Sequence, residues 1–159
     1  MRGEQTIEIS ATPERVYGVI SDLTRMGEFS PECHSVEWLD GATGPARGAR
    51  FVGHNRGGPV SWSREGRIVT AEPGLEFSFV TEWRGHDSTL WTYRLVPIAG
   101  GTSLTECYEA HWAPWWMHVL DAVTFRRRQL AQHMSRTLIR LKSNIESLSS
   151  PQGEATVDG

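Results

Sequence analysis

The stretch AEPGLEFSFVTEWRGHDSTLWTYRLVPIAGGTSLTECYEAHW, residues 71–112, decides the fold. Apolar side chains recur through it at every second position: Leu75, Phe77 and Phe79, then Trp91, Tyr93 and Leu95, then Leu104 and Tyr108. A period of two marks strands buried on one face. The turn clusters AEPG and PIAGG punctuate the pattern, which predicts strands over 74–82, 87–96 and 102–112. Upstream the same period gives strands over 34–40, 48–56 and 60–71, parted by DGATGPARG and by Arg56-Gly57-Gly58-Pro59. Six strands joined by short turns make an antiparallel meander, and Val36, Trp38, Phe51, Gly53, Val60, Trp62 and Ile68 extend its apolar face.

Further outward the chain changes character. Residues 3–10 alternate around Ile7 and Ile9 as a first strand. Thr12-Pro13-Glu14 is a helix start, with a hydroxyl cap, a proline at the first position and an acid at the positive end. Ser21-Asp22 opens a second short helix, which Gly27 and Pro31 close. Residues 114–148 hold no Gly or Pro after Pro114 and read as one long helix of about nine turns. On it Trp116, Leu120, Val123, Leu130, Met134, Leu138, Leu141, Ile145 and Leu148 fall within an arc of about 80°.

The order is therefore β-α-α-β6-α, an α+β domain over residues 1–148 followed by a polar tail, 149–159, expected to be disordered. A curved seven-stranded sheet must cover its apolar face, and only the terminal helix is long enough to do so. Where sheet and helix part, a cavity lined by the inward aromatics is expected.

Composition narrows the function classes. The chain has 159 residues, seven of them Trp, and a formal net charge of −3. No broad basic face exists for nucleic acid. No window reaches the roughly eighteen uncharged apolar residues of a spanning helix, and MRGEQTIEIS has no secretory core. Two cysteines are too few for a disulfide framework, so a cytoplasmic setting is expected. The six histidines lack ligand spacing, and neither a metal site nor a cofactor is expected. A monomer and a homodimer are equally compatible with the sequence.

Taken in order, ATPERVYGVISDLTRMGEFSPE, VEWLDG, GARFVGHNR, WSREGRIVTAEPG, WTYRLVP and GGTSLTE resemble the helix-grip superfamily of START-like, birch-pollen-allergen-like (SRPBCC) proteins. Within it, the chain is similar to the polyketide cyclase/dehydrase and lipid-transport family over residues 4 to about 147. The resemblance implies a helix-grip fold with a deep hydrophobic pocket for a lipid, sterol or polyketide-like ligand. It carries over no shared catalytic motif.

Candidate residues follow from parity and wheel position. Arg127 falls inside the apolar seam, where a guanidinium must find an acceptor. Arg64 shares its parity with Trp62 and Ile68 and is expected to point inward, able to pair with Glu106. Tyr93 and Tyr108 offer hydroxyls to a ligand. The pocket is expected to be lined by Trp38, Phe51, Trp62, Arg64, Phe77, Phe79, Trp91, Tyr93, Glu106, Tyr108, Trp116, Leu120, Val123 and Arg127. The first reading is a carrier or sensor of a hydrophobic small molecule (lipid, polyketide-like or aromatic). The alternative is a cyclase or aromatase that folds a poly-ketone chain, with Arg64 or Arg127 stabilising an enolate and Glu106 or Tyr93 moving protons. A protein-interaction module is the second alternative. Aromatics followed by Arg126-Arg127-Arg128 also make Trp112–Arg128 a candidate for transient membrane contact.

Overall fold

The computed structural model describes residues 1–123 and 125–148, with the side chain of Val123 left out. Seven strands form one antiparallel sheet: β1 (Arg2–Ile9), β2 (Cys33–Trp38), β3 (Arg50–Gly57), β4 (Val60–Glu72), β5 (Glu76–Trp83), β6 (His86–Ile98) and β7 (Gly101–Ala110). Their order across the sheet is β1-β7-β6-β5-β4-β3-β2. The meander thus occupies consecutive places, and the first strand closes onto the last, pairing Arg2 with Glu109 and Ile9 with Thr102.

Helix α1 (Pro13–Ile20) starts as its sequence dictates, with the Thr12 hydroxyl accepting from the Arg15 amide and Pro13 in the first turn. A 3₁₀ turn over Leu23–Glu28 follows, capped by Asp22. Both cover one end of the sheet, where Val16, Ile20, Leu23 and Phe29 are buried against Phe77 and Phe79. The terminal helix packs along β1 and buries Met134, Leu138, Leu141 and Ile145. Full burial of such a side chain is worth about 2 kcal/mol, so this row fixes the helix across the concave face. The fold is the helix grip expected from the element order.

One expectation is corrected. Residues 114–148 are not a single helix: α2 (Trp115–Val123) and α3 (Arg126–Ser147) are separate. Phe125 between them has φ 53°, ψ 33°, in the left-handed region. A non-glycine residue there costs about 1 kcal/mol, and no glycine or proline advertises the break. Two residues expected on the apolar face are also exposed: Val60 at the start of β4 and Leu75 in the turn before β5. Residues 149–159, expected to form a disordered tail, lie outside the described residues.

Candidate functional site

The concave face of β3–β7 and the facing sides of α2 and α3 enclose a cavity of about 300 Å³, at the lower end of the ~300–1,000 Å³ typical of ligand sites. Strand parity builds one wall. Phe51 and Gly53 come from β3, Trp62 and Arg64 from β4, Phe79 from β5, Trp91 and Tyr93 from β6, Glu106 and Tyr108 from β7. Register accounts for the grouping: Gly53 opposes Arg64, Phe79 opposes Trp91 and Tyr93 opposes Glu106. The rings touch, Phe51 meeting Phe79 edge-on at 5.5 Å between centroids and Trp91 lying 5.7 Å from Tyr108.

Glu106 stands at the back of this wall, 3% exposed. Its Oε1 accepts the Tyr93 hydroxyl at 2.8 Å. Its Oε2 is buried with no partner among the described residues. Burial pushes the carboxyl up to about 7, against the opposing pull of the Tyr93 hydrogen bond. The same burial, followed by the carboxylate beside it, holds the Tyr93 hydroxyl well above its ordinary range. Burial also pushes the Cys33 thiol up to about 11, so Cys33 is not a ready nucleophile.

Arg64 does face inward. The β3–β4 register runs without a shift from Arg50–Arg67 to Gly57–Val60, and the bulge in β4 lies between Ile68 and Thr70. Its expected pairing with Glu106 does not form. Instead the guanidinium lies 5.2 Å over the Trp83 ring, and burial pulls its pKa down. Arg84 stacks on the same ring at 5.3 Å, and Trp112 and Trp116 pack beside it.

The helical wall departs most from expectation. Arg127 is exposed and does not line the cavity; Arg126 does. Trp116 and Leu120 are also absent from the lining and are 42% and 51% exposed, while Met117 and Asp121 face inward. The break at Phe125 accounts for Trp116 and Leu120, because α2 does not continue the row of α3; Arg127 lies in α3 itself, whose cavity-facing row is Arg126, Leu130, His133, Met134 and Thr137. Val123, expected in that row, has its side chain outside the described residues. Two expected wall residues of the sheet lie elsewhere as well. Trp38, partly buried, packs edge-on against Phe51 at 6.4 Å on the flank of the core, and Phe77 is fully buried in the core against Tyr17.

Sequence reasoning missed a polar cluster on the helical side. Glu32 Oε1 lies 3.3 Å from Arg126 Nη1 and 3.0 Å from His133 Nδ1, and all three residues line the cavity. Cys33 was missed because the register shift between Cys33 and Ser35 breaks the parity of β2. Among the described residues no group of three His, Cys, Asp or Glu side chains is placed to hold a metal ion. No described helix is long and apolar enough to cross a membrane.

The family model for polyketide cyclase/dehydrase and lipid transport matches residues 1–146. The chain belongs to that family. Among solved structures, the family member is similar to the Polyketide_cyc-like protein Cgl2372 from Corynebacterium glutamicum, with 30% identity and TM-score 0.52 over 93% of this chain and 86% of that one. Protein CV1439 from Chromobacterium violaceum shares the fold at 18% identity and TM-score 0.69, over 92% and 98% of the two chains. The di-domain ARO/CYC StfQ of the steffimycin biosynthetic pathway gives TM-score 0.75 at 14% identity, over 93% of this chain and 51% of that one. No curated protein matches the sequence of this family member.

Proposed function

We propose that the protein binds a hydrophobic small molecule (lipid, polyketide-like or aromatic) in the cavity between the sheet and α2–α3, as a carrier or sensor. The observation that carries this reading is an internal space of about 300 Å³ walled by Phe51, Trp62, Phe79, Trp91 and Tyr108. Each 100 Å² of apolar ligand surface removed from water there contributes about 2.5 kcal/mol. A few polar groups, Glu106 first among them, would set the ligand's orientation. Family membership supports the reading, since its members include lipid-transport proteins.

The alternative is a cyclase-like enzyme, as in the ARO/CYC relatives. Tyr93 and Glu106 are placed to move a proton, but Arg64 is engaged with Trp83 and Arg127 is exposed. The cation expected to stabilise an enolate beside Glu106 is thus not assembled, which favours the carrier. The membrane contact belongs to the carrier reading: α2 and the break expose Trp115, Val119, Leu120 and Phe125, and Arg127 and Arg128 are exposed next to them. An apolar face edged by cations suits an anionic bilayer surface.

Gly53→Leu tests the cavity. A Cβ at Gly53 meets its nearest atoms at 3.8–3.9 Å, so the added side chain fits at its root and occupies the space. Quenching of tryptophan fluorescence by 1-aminoanthracene should saturate with the wild type and be lost in Gly53→Leu at unchanged far-UV circular dichroism. Equal quenching of both proteins would remove the cavity as the binding site.

A further inference from the structure

The floor of the cavity carries a polarity that the apolar walls do not explain. A carboxyl group buried to this depth is expected to have every oxygen hydrogen-bonded, yet only Oε1 of Glu106 has a partner. No cation neutralises it: among the described residues no Lys, Arg or His lies within ion-pair distance of Glu106. We propose that Glu106 acts as a neutral carboxylic acid whose Oε2–H donates a hydrogen bond to an uncharged acceptor oxygen of the ligand, so that the site selects apolar ring molecules bearing a ketone or quinone carbonyl. This rests on the cavity reading above and names the ligand class for it.

Tyr93 decides which oxygen carries the proton, and two features favour the neutral form against the pull of its hydrogen bond. Tyr93 is a phenol whose hydroxyl is already committed to Oε1, so it satisfies that oxygen and leaves Oε2 as the carboxyl oxygen without a partner among the described residues. The other residues with ionisable groups on the walls are Met1 ahead of β1, with its amino group, Cys33 from β2, Arg64 from β4 and Tyr108 from β7, together with Asp121 from α2 and the Glu32–Arg126–His133 cluster. Arg64 is directed to Trp83, and Glu32 engages both Arg126 and His133. An apolar ligand filling the cavity deepens the desolvation that already raises the carboxyl to about 7, which drives it further toward the acid. A ligand carboxylate would meet Glu106 without a countercharge and is selected against.

Fluorenone and fluorene test this, since they share a three-ring shape and differ by one carbonyl. Their affinities are read by tryptophan quenching at about pH 6 and about pH 9. In the wild type fluorenone should bind about tenfold tighter than fluorene at the lower pH. Its affinity should fall about tenfold by the higher pH, to that of fluorene, because the acid form that supplies the hydrogen bond is depleted above its midpoint, and the preference for the ketone should vanish. Glu106→Gln, whose amide N–H donates at every pH, should keep the preference at both values, and Glu106→Leu should lose it at both. Equal binding of the two probes by the wild type, or a ketone preference that rises with pH, overturns the inference while the cavity reading stands. Failure of both probes to bind the folded wild type overturns the cavity reading and this inference with it.

Discussion

Glu106→Gln also makes a prediction about the empty protein, one that needs no ligand. In the folded chain burial holds the Glu106 carboxyl at about 7, against an ordinary value of 4.5. Between those two values the folded state binds more protons than the unfolded state, so stability falls as pH rises through that window. Below the unfolded value the effect is absent. Above the folded value the penalty levels off at about 3 kcal/mol, which is RT ln 10 multiplied by the separation of the two values. Glutamine keeps the shape and can still accept the Tyr93 hydroxyl, but it carries no charge. Urea unfolding of both proteins, followed by tryptophan fluorescence, is measured at about pH 5 and about pH 8.5. Subtracting one protein from the other removes every titration they share. The stability of Glu106→Gln relative to wild type should rise by about 2–3 kcal/mol between the two conditions. Parallel curves, with a difference that changes by less than about 0.5 kcal/mol, would mean that the carboxyl is solvated or paired in solution and would refute the burial argument.

Two further outcomes follow from the helical wall. Arg127→Ala should leave 1-aminoanthracene affinity within about twofold and stability within about 0.5 kcal/mol of wild type, because the arginine is exposed and off the cavity; loss of binding would show that the Arg127 side chain reaches the cavity. Sedimentation with phosphatidylglycerol vesicles should carry down the wild type and fall at least tenfold for the Trp115→Ala/Phe125→Ala pair, since each buried aromatic contributes about 1.5–3 kcal/mol; equal binding to phosphatidylcholine vesicles would remove the role of the arginines.

Most of the architecture was legible because it rests on local rules that act over a few residues. Alternation set the strands, Thr12-Pro13 set the first helix, and the turn clusters set the order. The wall of the cavity contributed by β3 to β7 was legible for the same reason: in a regular strand parity alone decides which face a side chain takes. Arg64 illustrates both the reach and the limit of that logic. Parity places its Cα correctly, but the partner its guanidinium finds depends on Trp83, which sits at a strand end where alternation says nothing. Trp38 and Phe77 have the right parity too, yet they lie where α1, the 3₁₀ turn or a neighbouring ring fills the space, and parity cannot tell core from cavity. Cys33 was hidden by a one-residue register shift.

The break at Phe125 lies beyond any such local rule, and it also accounts for the cavity. Along α3 the inward row is Leu130, Met134, Leu138 and Leu141, and an unbroken helix would continue it through Val123, Leu120 and Trp116. Those bulky apolar side chains would then project at the same wall of Phe79, Trp91 and Tyr108, and close packing would consume the space. With the left-handed residue between the helices, Trp116 and Leu120 turn outward and Met117 and Asp121 take the inward positions, while Arg126 continues the row of α3. Asp121 and the engaged Arg126 cannot be driven into an apolar wall without leaving charge unpaired, so the two surfaces stay apart. The strain at Phe125 and the apolar residues it exposes are thus consistent with one arrangement that keeps the interior open, and strain of this kind is retained where function requires it.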